Sequence, residues 1–213
     1  MKVAQAHLTL CRLDAAGDFA VVVSEDERLR AGTMVPQVRR LFLRRRTLLR
    51  ERLAEATGQE PHALTLESTC TRCGHLHPVT PLSSPAGALW WSSSSSQELW
   101  VVAIAPIRVG VDIEAVDRTR DWRVVMTGAF RETERLAVGD DVGRFFRYWT
   151  LKEAYLKATG LGLAGGLRSL DCTGLRPTDG RSGQHSHPEH PGWTFSAFTP
   201  SPGFVAAVAL RGP

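Results

Sequence analysis

Apolar and polar positions change their period several times along the chain, and each change predicts an element. Between Val35 and Thr57, the residues Val38, Leu41, Phe42, Leu48, Leu49 and Leu53 recur near every 3.6 positions, which predicts a helix, and Gly58 follows as its stop. Asp121 to Val138 is predicted as a second helical region and Phe145 to Gly160, FFRYWTLKEAYLKATG, as a third. Runs rich in β-branched residues, LWVVAIA at 99–105 and IRVGVDIE at 107–114, read as strands. So do WTFSAF from Trp193 and GFVAAVAL from Gly203, with Pro200 and Pro202 in the turn between them. Two stretches have no period and are predicted to be irregular: 59–96, with Pro61, Pro78, Pro81, Pro85 and the serines 92–96, and 176–192.

Helices alternating with strands in both halves predict an α+β protein of two lobes, 1–105 and 106–213. With 213 residues, 43% hydrophobic and 23% charged, the chain can bury a core and is not disordered as its main state. Its longest apolar stretch, Leu99 to Ala105, ends at Pro106, well short of the roughly 18 residues of a membrane helix. Gln5, His7 and Thr9 break the apolar residues of the N-terminus, which reads as a strand and not as a signal peptide. Four cysteines in a chain that needs no staples fit a reducing compartment, so a cytoplasmic monomer without a membrane partner is expected. Net charge is only +4, but Arg39, Arg40, Arg44, Arg45, Arg46, Arg50 and Arg52 crowd one segment, which favours an anionic partner: phosphate, nucleic acid or an acidic protein.

Three features carry candidate chemistry. Asp112 and Glu114 stand two apart in GVDIE, so on a strand both carboxylates project from one face, and such a pair suits a hard cation such as Mg2+. Standing alone, the pair reads as a strand end passing into an exposed loop. On the third helix Glu153 and Lys157 are one turn apart, with Trp149 one turn before them and Lys152 alongside. Taken alone, that is a surface pair worth about 0.3–0.5 kcal/mol. Cys70, Cys73, His75 and His77 are ligand types for zinc, but they lie too close together for paired knuckles and are read as a metal-free loop; His185, His187 and His190 are read as solvated.

Taken together, VGVDIE at 109–114 and YWTLKEAYLKATGLGL at 148–163 resemble the signature pair of the Sfp-type 4′-phosphopantetheinyl transferases, an aliphatic-Gly-aliphatic-Asp-x-Glu strand followed by W-[ST]-x-K-E-[AS]-x-x-K. RRTLLRERL at 45–53 looks like the family helix whose arginine meets the 3′-phosphate of coenzyme A, with Arg46 at the matching position. FRETERL at 130–136 resembles the F-x-x-x-E-x-x-x-L segment, which puts Glu134 near the reacting groups. The chain departs from the pattern in two places. Ser94, Ser95 and Ser96 stand where the family has Ser-His-Ser, so Ser95 replaces the histidine, and His77–Pro78 takes the place of a Gly-Lys/Arg-Pro motif.

The resemblance implies two similar lobes in a pseudo-twofold arrangement with coenzyme A between them. It implies transfer of 4′-phosphopantetheine to a serine of an apo acyl or peptidyl carrier protein, with release of adenosine 3′,5′-bisphosphate. Asp112, Glu114 and Glu153 would hold Mg2+, Lys152 and Lys157 would supply positive charge, and Glu153 is the leading candidate for the base. Arg46, His77, Ser94, Ser95 and Ser96 would bind coenzyme A. A coenzyme A-binding relative without activity would explain Ser95, and a zinc or nucleic-acid-binding module would use the arginines and cysteines; neither uses both signature motifs.

Overall fold

The computed structural model describes residues 2–3, 5–13, 19–69, 76–78, 81–119, 121–161, 166–177 and 183–212. Strands β1 (Lys2–Val3) and β2 (Ala6–Arg12) precede helices α1 (Glu25–Gly32) and α2 (Pro36–Thr57). Short strands β3 (Glu67–Thr69), β4 (Leu76–Pro78) and β5 (Leu82–Ser84) lead to β6 (Gly87–Ser96), β7 (Leu99–Ala105) and β8 (Val109–Ala115). Helices α3 (Trp122–Ala129), α4 (Glu132–Val138) and α5 (Val142–Thr159) follow, then β9 (Arg176–Pro177), β10 (Gln184–Ser186), β11 (Trp193–Phe198) and β12 (Phe204–Arg211). The fold is α+β, with one five-stranded sheet ordered β1-β2-β7-β6-β5 and another ordered β8-β12-β11-β10-β9, the second antiparallel throughout. Packing divides the chain into two compact units, Arg12–Trp90 and Met1–Cys11 with Trp91–Pro213.

In the unit formed by Arg12–Trp90, α1 starts on a capping box: Ser24 Oγ accepts from Glu27 N and Glu27 Oε2 accepts from Ser24 N. The helix α2 has Pro36 in its first turn and ends at Gly58, whose φ of +71° no β-branched residue would adopt comfortably. The arginine block is partly answered from within. Arg46 and Arg50 both pair with the buried Glu27, and Arg50 also donates to Pro61 O and Leu64 O. Burial alone would push the Glu27 carboxyl up, but Arg50, Arg46 and the Ser24 N–H outweigh it and hold it below its ordinary value.

The other unit has its core where α5 lies on β8 and β12. Leu151, Ala154 and Ala158 of the helix pack with Phe195, Ala207 and Ala209 of the sheet. A second cluster gathers Trp122, Phe130, Val142, Phe145 and Phe146 around Val205. The predicted second helix is two helices, broken where Phe130 turns extended and buries its ring, and where Glu134 reaches back to accept from Arg131 N at 2.8 Å. The third begins earlier than predicted because Asp141 caps it, accepting from Arg144 N.

The serines 92–96, expected in an irregular stretch, belong to β6. Their low strand propensity is overcome by the two-residue turn into β7 and by hydroxyl contacts to β8. The stretch 176–192 likewise contains β9, β10 and a turn clamped by histidines that the sequence placed in solvent. His187 Nε2 lies 2.8 Å from Asp171 O while Nδ1 accepts from Glu189 N; His190 reaches Tyr155 Oη and Ser169 O. His187, Glu189 and His190 could offer ligand atoms within 4.8 Å of one another, but every imidazole nitrogen already has a protein partner, so this cluster is a clasp.

Burial, with His187 adding to it, lowers the His190 pKa, and Glu189 and Ser169 O only partly offset the effect. Below the ordinary imidazole value of about 6.5, the unfolded chain takes up a proton that folded His190 resists. Stability is therefore expected to fall as pH drops through that value and to level off once the folded ring is also charged. Thermal unfolding between pH 8 and 5 checks this: His190→Gln should flatten the slope, and an unchanged slope would rule the clasp out as its source.

Candidate active site

Strand β8 alternates Val109, Val111, Ile113 and Ala115 on one face with Gly110, Asp112 and Glu114 on the other. The second face meets α5, and Gly110 sets how closely. A Cβ on Gly110 would fall 1.9 Å from Ala154 O and 2.6 Å from Ala158 N, both backbone atoms that cannot swing aside. The cross-strand neighbours on β12, Ala207 opposite Asp112 and Ala209 opposite Gly110, are equally small. The glycine and the alanines thus seat the helix directly on the strand. Gly110→Ala is expected to cost about 3 kcal/mol by prising α5 from β8. Urea denaturation would measure it, and a loss under about 1 kcal/mol would contradict the close approach.

Seating α5 on β8 brings the signature side chains together. Asp112 is 4% exposed, and its Oδ1 accepts from Lys157 Nζ and from Ser94 Oγ, each at 2.7 Å. Lys157 also lies 3.3 Å from Val111 O. Glu114 Oε2 accepts from Ser96 Oγ at 2.9 Å. Burial pushes the Glu153 carboxyl up, the negative charges of Asp112 and Glu114 push it further, and Lys157 works against them. Three carboxylates therefore share one corner, where the Lys157 ammonium pairs with Asp112. Asp112 Oδ2 is buried and has no hydrogen-bond partner among the described residues, an arrangement that costs free energy unless something positive completes it. An all-oxygen set of this kind fits a hard divalent cation.

Several other expected site residues have protein partners of their own. Lys152 is 1% exposed: its ammonium pairs with Glu134 at 2.7 Å, donates to Leu167 O at 2.9 Å and to Leu170 O, and sits over the Phe130 ring. Glu134 is fully buried and also accepts from Arg131 N and Cys172 N. Through these contacts the two residues tie α4, α5 and the 167–172 segment together. Arg46 is held by Glu27 and, at 3.1 Å, by Glu67, with its side chain 12% exposed. The donors of Ser94 and Ser96 are engaged by the β8 carboxylates, whereas Ser95 alternates to the opposite face of β6. His77 falls in β4; Cys70, Cys73, His75, Gly162 and Leu163 lie outside the described residues.

The family description 4′-phosphopantetheinyl transferase superfamily matches residues 108–209, a span that holds the β8 and α5 motifs. The chain is 34% identical over 202 residues to the 4′-phosphopantetheinyl transferase HetI of Nostoc sp. strain PCC 7120, covering 92% of this chain and 81% of that protein. The chain belongs to the 4′-phosphopantetheinyl transferase superfamily. A phosphopantetheinyl transferase of Thraustochytrium sp. is also 34% identical, over 146 residues that make 60% of this chain and 49% of that one. The protein is thus a transferase, and the corner of Asp112, Glu114, Glu153 and Lys157 is its candidate active site. Among the described residues, no helix is long and apolar enough to cross a membrane.

Sequence reading missed two parts of this transferase site. In the sequence Gly110 is one letter of the motif, whereas in the structure its lack of a side chain is what lets α5 approach. Ser94 and Ser96 were assigned to coenzyme A, although their two-residue spacing repeats that of Asp112 and Glu114 and could have paired them from the sequence.

Proposed function

We propose that this transferase moves the 4′-phosphopantetheine of coenzyme A onto a serine hydroxyl of an apo acyl or peptidyl carrier protein, with Mg2+ held by Asp112, Glu114 and Glu153, releasing adenosine 3′,5′-bisphosphate. The observation that carries this reading is the buried, unpartnered Asp112 Oδ2 beside two further carboxylates. When bound there, the cation would neutralise charge on the pyrophosphate, where an alcohol must attack a strongly anionic group. Lys157, held in place by Asp112 and partly open to solvent, would turn its remaining donor capacity to a phosphate oxygen. Glu153, which shares the corner with Asp112 and Glu114, is the leading candidate for the base that takes the serine proton. Lys152 and Glu134 act on this reading through the framework and touch no substrate.

Arg46, His77 and Ser95 remain proposed for the nucleotide end of coenzyme A. The Nε and Nη1 of Arg46 are engaged by Glu27 and Glu67, so its contribution to a 3′-phosphate would come through Nη2. The net charge of +4 favours encounter with an acidic carrier protein. Division into lobes 1–105 and 106–213 with the ligand between them, a cytoplasmic location and a monomeric state belong to the same proposal. Mass spectrometry of apo carrier proteins incubated with the enzyme, Mg2+ and coenzyme A tests it: one phosphopantetheine should be gained on serine, and no gain across a panel of acyl and peptidyl carriers would reject it.

A further inference from the structure

We propose that Ser94 and Ser96 are positioning residues for the two β8 carboxylates, fixing which oxygen each offers to a divalent cation. The inference rests on the cation reading above and assigns these hydroxyls to the carboxylates instead of to coenzyme A. Ser94 and Ser96 stand two apart on β6, Asp112 and Glu114 stand two apart on β8, and each serine meets the carboxylate eighteen positions on. The two strands are therefore in phase, and one face of β6 supplies hydroxyls to the acidic motif while Ser93 and Ser95 alternate away.

The direction of each hydrogen bond follows from neighbouring donors. Ser96 Oγ accepts from Ala115 N at 3.0 Å, so its own proton is directed to Glu114 Oε2. Ser92 Oγ accepts from Val111 N at 3.1 Å, which anchors the start of the serine run against the same strand. Ser94 has a carboxylate as its partner and can only donate, and Lys157 donates to the same Oδ1. Two donors converging on Oδ1 stop the carboxylate from rotating and hold Oδ2 in the remaining, buried direction, where it has no hydrogen-bond partner among the described residues. Five consecutive serines are a poor choice for a strand by propensity alone. Their sequence is accounted for when every second hydroxyl has a defined partner on β8. Outer groups that orient metal ligands in this way typically change metal affinity by about 10–100-fold when removed.

The test is Mn2+ binding to the full chain with saturating coenzyme A, read from the resonance of free Mn2+ against a coenzyme A blank. Ser94→Ala and Ser96→Ala should each weaken Mn2+ by about tenfold or more, and Ser94→Thr, which keeps a hydroxyl, should recover most of the loss. Ser93→Ala, on the other face, should bind as the unaltered protein does. In turnover, Ser94→Ala should raise the Mg2+ needed for half-maximal rate while leaving KM for coenzyme A unchanged at saturating Mg2+; a residue that only supported the fold would shift the melting temperature without this split. Unaltered protein that binds Mn2+ together with serine variants that bind it equally well would overturn the positioning role alone. Unaltered protein that transfers phosphopantetheine yet binds no Mn2+ would overturn the cation reading and this inference with it.

Discussion

Asp112→Asn and Glu153→Gln are each expected to lower phosphopantetheinyl transfer by about 10²–10³-fold while leaving the melting temperature nearly unchanged. Asparagine and glutamine keep the shape of the side chains, so Ser94 can still donate to position 112 and α5 keeps its seat on β8. What is lost is the negative charge that, on the reading proposed here, holds a cation and accepts the serine proton. Asp112→Asn also deprives Lys157 of its ion-pair partner, which lies 2.7 Å away, so the ammonium is no longer held at the site. Steady-state transfer to a carrier protein, with thermal unfolding in parallel, would measure both effects. Activity within tenfold of the unaltered enzyme in either variant would remove that carboxylate from the site.

The second large effect is expected from the buried pair of Lys152 and Glu134. Lys152→Met leaves Glu134 buried with its backbone N–H donors but without a counter-charge, a loss of about 3–5 kcal/mol in stability. Adding Glu134→Gln removes the stranded charge while keeping an acceptor for Cys172 N, so the double variant should be more stable than Lys152→Met alone. Denaturant unfolding of both single variants and the double variant gives the coupling. Additive losses would show that the two residues do not form the buried pair. Because Lys152 also holds Leu167 O and Leu170 O, the double variant should keep a residual deficit that comes from those two carbonyls.

The two lysines of one motif meet different surroundings. Lys152 and Lys157 lie five positions apart on α5 and therefore point in different directions around the helix. Lys157 faces β8 and the carboxylates; Lys152 faces the α4 side and is sealed by Phe130 and Glu134. A sequence motif carries both letters equally, because it records residue type and not the partner that each side chain meets. Arg46 likewise has partners its motif does not show, Glu27 and Glu67, which lie nineteen and twenty-one positions away in sequence.

Sequence alone determined what local periodicity and motif spacing can carry. It set the helix α2 to its glycine stop, the strands β7, β11 and β12, the α+β class, and the family from VGVDIE and WTLKEAYLK. Period-two alternation also placed Asp112 and Glu114 on one face, because a strand's geometry is local. Only the tertiary structure decided which face of α5 meets that strand, since this depends on Gly110, Ala154 and Ala158 closing against one another across more than forty residues. Tertiary contacts likewise made a strand of the serines, paired their hydroxyls with the carboxylates, and clamped His187 and His190 onto Asp171 and Ser169. The physical reason is common to all of these. A hydrogen bond or a close backbone approach between distant segments leaves no period in either segment, and its partner becomes definite only when the core brings the two surfaces together.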